Sequence, residues 1–187
     1  MFNRCLRIAL VLLSTLMFLS CATYKDLRNG TGDIIEYNTC SINLPMNWSS
    51  KTLKRNRVDD IVWIFKSENK EPWIDICIVK DKPDRDLNEE VVFSGRNGLL
   101  RYLHSGPKKD YSVGGSGSEV NLWNREGSLA KFEVTNNEDI NDSFEYYYFG
   151  SRIKNINKVL FITVIMRPED SEEVNSILSS LKINNEL

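Results

Sequence analysis

Histidine occurs once in these 187 residues and proline five times. Any Ser-His-Asp or Cys-His arrangement would have to use His104, and no serine stands in a G-x-S-x-G elbow. The stop signal "HSGP" beside that histidine gives it a simpler role, as a helix-terminal residue near the negative end of the dipole. "GGSGS", residues 114 to 118, lacks both the Lys-Ser/Thr ending of a P-loop and the strand that should precede one, so it reads as a mobile loop. "NNEDINDS" offers Glu138, Asp139 and Asp142 but neither the ligand order nor the mid-loop glycine of an EF-hand, and reads as a solvated acidic hairpin tip. No metal or cofactor is expected. Basic residues are scattered singly or in small groups, as in "LKRNR" and "PKKD"; without a basic stripe, nucleic acid is excluded as a partner. An enzyme is therefore not the expected reading.

The sequence does contain one unbroken apolar or small-residue run, Ile8 to Ser20, behind Arg4 and Arg7. It falls short of the roughly 20 apolar residues that cross a bilayer, and polar "ATYKDLRNGTGD" follows it, so residues 1–20 read as an export signal. "FLS" before Cys21 resembles a bacterial lipobox, in which a large apolar and two smaller residues precede a lipidated cysteine. Ser20 fits the small position, whereas Leu19 and Phe18 depart from the commonest pattern. The alternatives are an ordinary signal whose cleavage point lies near a cysteine, or an uncleaved anchor. The lipobox resemblance implies a thioether-linked lipid on Cys21 and lasting attachment to a membrane through two or three acyl chains. Ala22 stands where an Asp would retain a lipoprotein in the inner membrane of enteric bacteria. By that analogy the expected site is the outer membrane, with the domain facing either the periplasm or the surface.

Without the signal, 167 residues remain, enough for a single domain, with 22 basic against 26 acidic residues and a formal charge of −4. Residues 21–37, with Gly30 and Gly32 and little periodicity, read as the lipidated cysteine and a flexible tether reaching roughly 20 Å. Residues 38–187 read as the globular domain. Cys40 and Cys77 fall in apolar strand patterns; an oxidising envelope would let them pair, but buried thiols are the favoured expectation.

Strands are expected over "CSINLP", "DIVWIFK" and "WIDICIVK", the last two as a hairpin. "LNEEVVFSGRNGLLRYLHSGP" reads as a helix capped by Asn88, with Val92, Gly95, Leu99 and Leu103 on its buried side. Four further strands follow, "EVNLWNRE", "SLAKFEVT", "SFEYYYFGSR" and "KVLFITVIM", with a turn at Glu126 and Gly127 between the first two. The aromatics of "FEYYYF" read as core. A last helix carries Val174, Ile177, Leu178 and Leu181 in one stripe. The fold class expected is α+β, a mainly antiparallel sheet of about six or seven strands with two helices packed on it.

"CSINLPMNW", through Leu44, Pro45 and Trp48, is similar to the opening "fsIxLPxxW" of PsbP-like proteins, and the closing "SEEVNSILSSLKI" resembles that family's last helix. The resemblance implies an α/β/α sandwich and an accessory or assembly role at a membrane. It supplies no functional residues. The expected function is a lipid-anchored binding or accessory module of the bacterial envelope that recognises a protein partner or another envelope component; the alternatives are a membrane-tethered small-molecule-binding protein and a cryptic hydrolase. The segment Ser105–Ser118 reads as a long loop in which Lys108, Lys109 and Tyr111 are the candidate partner-binding residues.

Overall fold

A computed structural model describes residues 24–55, 58–67, 70–82, 84, 86–105, 110–139, 142–153 and 156–184. Cys21, Lys108 and Lys109 lie outside the described residues. The chain runs β1 (Tyr24–Asn29), β2 (Ile34–Glu36), β3 (Cys40–Asn43), β4 (Ser49–Arg55), β5 (Val58–Ser67), β6 (Lys70–Lys80), α1 (Leu87–Ser105), β7 (Tyr111–Leu122), β8 (Arg125–Asn136), β9 (Phe144–Ile153) and β10 (Lys158–Met166). A 3-10 turn at Pro168–Asp170, α2 (Ser171–Ser179) and β11 (Lys182–Ile183) complete it.

Eight strands form one antiparallel sheet in the order β1-β4-β5-β6-β10-β9-β8-β7, and β11-β3-β2 form a smaller one. β10 sits in the middle and is apolar on both faces; Val159, Leu160, Phe161, Ile162, Val164 and Ile165 are all buried. That is the pattern of a strand covered from both sides. α1 packs on one face, against β7, β8 and β9. On the other face, Val174, Ile177 and Leu178 of α2 and Cys40 and Ile42 of the small sheet bury Ile64, Ile74, Ile76, Leu160 and Ile162. The α+β class with two helices on an antiparallel sheet stands, with more strands than expected.

The segment expected to be a tether is instead built into both sheets. β1 pairs with β4 from Tyr24 opposite Leu53 to Asn29 opposite Ser49, and β2 pairs with β3. The two glycines that suggested flexibility serve geometry. Gly30 donates its N–H to the Trp48 carbonyl at 2.8 Å, and a Cβ there would run into the Pro45 carbonyl. Gly32 holds φ at +82°, which glycine adopts without penalty.

The loop expected over Ser105–Ser118 is also corrected: Tyr111–Leu122 is a strand, paired with β8 from Tyr111 opposite Asn136 to Leu122 opposite Arg125. Gly and Ser have little to bury, but backbone pairing needs no side chain. The expected turn at Glu126–Gly127 moves to Trp123 and Asn124, both at positive φ (51° and 61°), the sign that two-residue hairpin turns of the primed type require. Trp123 is anchored there by its indole N–H, which donates to Asn175 Oδ1 at 2.8 Å, and by an edge-on contact with Phe149.

Helix α1 is capped by Asp86, whose Oδ1 accepts from the Glu89 N–H at 3.0 Å, rather than by Asn88. Its buried side is Leu87, Val91, Gly95 and Leu99, so Val92 is displaced to a flank and is 41% exposed. Cys40 is buried in the α2 layer and Cys77 half-buried on the α1 face, and no disulfide joins them.

Candidate partner-binding surface

The two covering layers are offset. α1 lies toward the β7 side of its face, while α2 and the small sheet cover strands from β5 to β9 on the other. At the β7 edge of the α2 face, charge closes the surface: Lys131 Nζ bridges Glu133 (3.0 Å) and Glu145 (2.8 Å), and the Tyr147 hydroxyl donates to Glu145 at 2.7 Å. Burial and that bond to Glu145 push the Tyr147 pKa up to about 12.

On the α1 face the same edge is apolar and open. A cleft of about 470 Å³ runs between α1 and β7, with Val92, Arg96, Leu100 and Leu103 on one wall and Val113 and Gly115 on the other. Val92, Leu100 and Val113 are each more than 40% exposed, and Phe93 beside them is 68% exposed. An exposed apolar strip of this kind, with one basic residue in it, suits contact with another molecule better than contact with water.

Glycine shapes this cleft. In β7 the α1 face falls on the odd positions, and a Cβ on Gly115 would meet the Phe132 ring at 2.6 Å, while one on Gly117 would meet Val92 Cγ2 at 2.7 Å. Small residues thus let Phe132 and Val92 lie close to the strand and leave the groove unfilled. β7 is the last strand of the sheet, and Ser112 to Glu119 are all exposed along it. It carries no proline, and its one charged residue, Glu119, lies outside this cleft.

Tyr111, a candidate from sequence, begins β7 and stacks edge-on against Phe144 at 6.2 Å, so packing occupies much of its ring. His104 is exposed in the last turn of α1. Glu138 and Asp139 are exposed at the β8–β9 tip, and Asp142 accepts from Asn136 Nδ2 at 3.0 Å. Among the described residues no three His, Cys, Asp or Glu side chains are placed to hold a metal ion. The residues that sequence reasoning missed are Phe93, Leu100 and Val113, along with the exposure of Val92. A helical wheel centred on Gly95 and Gly98 would have found the first two, since the smallest residues mark the side that lies against the sheet.

Two further clefts among the described residues differ from it in lining. One of about 460 Å³ lies over Cys77, Tyr148, Phe161 and Thr163 beside Glu90, with Tyr148 and Phe161 stacked 5.6 Å apart. The other, about 1010 Å³ and polar, lies among Asp86, Glu119, Arg125, Glu126 and Arg152.

No protein-family model matches this chain, and no curated protein matches it. Among solved structures it is similar to the solution structure of cyanobacterial PsbP (CyanoP) from Synechocystis sp. PCC 6803, at 11% sequence identity and a TM-score of 0.47, over 84% of this chain and 91% of that one.

Proposed function

We propose that this chain is a lipid-anchored binding or accessory module of the bacterial envelope, and that it takes an extended segment of a protein partner along β7 and the groove beside α1. The observation that carries the binding surface is the continuity of exposed Val92, Phe93, Leu100 and Val113 with an exposed strand edge. Strand addition supplies backbone hydrogen bonds, and alternate side chains of the added segment enter the groove, where Arg96 favours an acidic residue. Anchoring rests on the positive start, the short apolar run and Cys21 of the sequence. The membrane proposed is the outer one, from Ala22.

A photo-reactive side chain at Leu100 or Val113 should cross-link a partner in intact cells, whereas one at exposed Asn157 should not. Equal yields at all three positions would remove this surface from consideration. Protease treatment of intact cells reads which side of the membrane the domain faces.

A second reading, small-molecule binding, is favoured by the stacked Tyr148 and Phe161 in the 460 Å³ cleft. Stacked aromatic rings beside an open cleft suit a flat ligand. Co-purification of a small molecule that Tyr148→Ala releases would support it over the protein partner.

A further inference from the structure

We propose that the end of the large sheet where β1 begins rests against anionic lipid headgroups, so that the domain is seated on the bilayer instead of suspended from it. The proposal depends on lipidation of Cys21. Only three residue steps separate Cys21 from Tyr24, and Tyr24 is already paired with Leu53. Three steps of extended chain span at most about 11 Å. A lipid on Cys21 therefore holds this end of the sheet within reach of the headgroups.

The register shows which residues share that end. Arg55 faces Val58 at the close of the β4–β5 hairpin, and Lys80 faces Lys158 where β6 and β10 meet. Lys82 follows, exposed. The opposite end holds Glu133 across from Glu145, the tip with Glu138 and Asp139, and the turn with Glu169 and Asp170. Charge is thus polarised along the strands. Among the described residues, the segments at the anchor end, within 53–60, 80–86, 119–126 and 152–158, carry seven basic and seven acidic residues; those at the far end, within 66–71, 104–110, 133–145 and 167–173, carry three and eleven. An anionic surface repels the strongly acidic far end and so turns the neutral first end toward itself, although the mature chain is acidic as a whole.

The experiment uses the native lipidated protein with Cys77→Ala, Cys40 being fully buried, and a nitroxide at Asn157→Cys or Asn137→Cys. Each is reconstituted into vesicles of phosphatidylcholine and phosphatidylglycerol bearing a headgroup nickel chelate. Relaxation by nickel should be several-fold stronger at 157 than at 137. Adding Lys80→Glu and Lys82→Glu should shrink that difference while flotation with vesicles and the melting temperature persist. Equal relaxation at both positions in a protein that floats overturns the seating and leaves the anchor standing. A difference undiminished on phosphatidylcholine alone overturns the role of anionic headgroups. Failure of the wild-type protein to float overturns lipid anchoring, and the seating with it.

Discussion

The Trp48 indole N–H donates to Glu173 Oε1 at 2.7 Å, tying the segment after β3 to the first turn of α2 across 125 residues of chain. Lys66 completes the group, with Nζ on Glu173 and 2.9 Å from Asp170, and lies 5.5 Å from the centre of the Trp48 ring. Trp48 itself is 1% exposed. Trp48→Ala should therefore lower unfolding free energy by about 3–5 kcal/mol in urea titrations. Trp48→Phe keeps most of the packing and loses the indole hydrogen bond, at about 1 kcal/mol. Equal losses for the two would assign the whole effect to the hydrogen bond.

The same group sets an acid-side dependence. Burial opposes ionisation of Glu173, but hydrogen bonds from Lys66, Trp48 and Asn47, with the Lys66 charge, hold its pKa below the ordinary glutamate value. A carboxylate depressed in the folded state contributes stability above its unfolded pKa and loses it as pH falls through the folded one. Thermal melts should accordingly drop below pH about 4, and Glu173→Gln should flatten that part of the profile. For Lys66 burial lowers the pKa and the bonds to Glu173 and Asp170 raise it more, so its contribution is lost on the alkaline side.

Gly98 faces the hydroxyl of buried Tyr146, which a Cβ would strike. Alanine in an open helix is favoured over glycine by about 1 kcal/mol. Here Gly98→Ala should instead cost about 1–3 kcal/mol through overpacking, and Tyr146→Phe should recover most of that loss. A double-mutant cycle showing no coupling would place the helix further from β9.

At the β7–β8 turn, Asn124→Gly should leave the melting temperature almost unchanged, because glycine accepts φ of 61° freely. Asn124→Ala should cost roughly 1 kcal/mol for the left-handed backbone. Loss of equal size in both variants would point to the Asn124 side chain, which donates to the Ser179 carbonyl at 3.4 Å.

Cys40 and Cys77 face opposite sides of the large sheet, so both should be alkylated in denaturant without prior reduction. In the native protein Cys77 should react slowly and Cys40 not at all. Peptide mapping that recovers a Cys40–Cys77 disulfide would contradict their separation by the sheet.

How much of this was legible depended on whether a segment speaks through side chains or backbone. "DIVWIFK" and "WIDICIVK" alternate visibly, and their hairpin formed as expected with Val62 opposite Ile76. The stripe Val174, Ile177, Leu178 and Leu181 was equally plain and is buried. β1 and β7 were hidden because edge strands have few side chains to bury, and glycine and serine hydrogen-bond through the main chain as well as any residue. The helix face was read one position off, at Val92 instead of Val91, because apolar residues were counted and the close approach of Gly95 to Ala130 and Tyr148 was invisible in the pattern. The groove beside α1 followed from that rotation. Its wall on β7 was missed with the strand itself.

The middle seam of the large sheet bears on how fast this chain folds. β4, β5 and β6 form one run of neighbours in sequence, β7 to β10 another, and each is closed by short connections. Only the β6–β10 pairing, from Lys80 opposite Lys158 to Trp73 opposite Ile165, stitches them together, over chain separations near 80 to 90 residues. Closing so long a loop costs little more free energy than closing one half its length, by about 0.6 kcal/mol, but such distant partners slow the search. Both runs expose apolar faces until the seam forms. Refolding should therefore be paced by the meeting of β6 with β10, and substitutions at Ile76 or Ile162 should slow it more than changes at the hairpin ends.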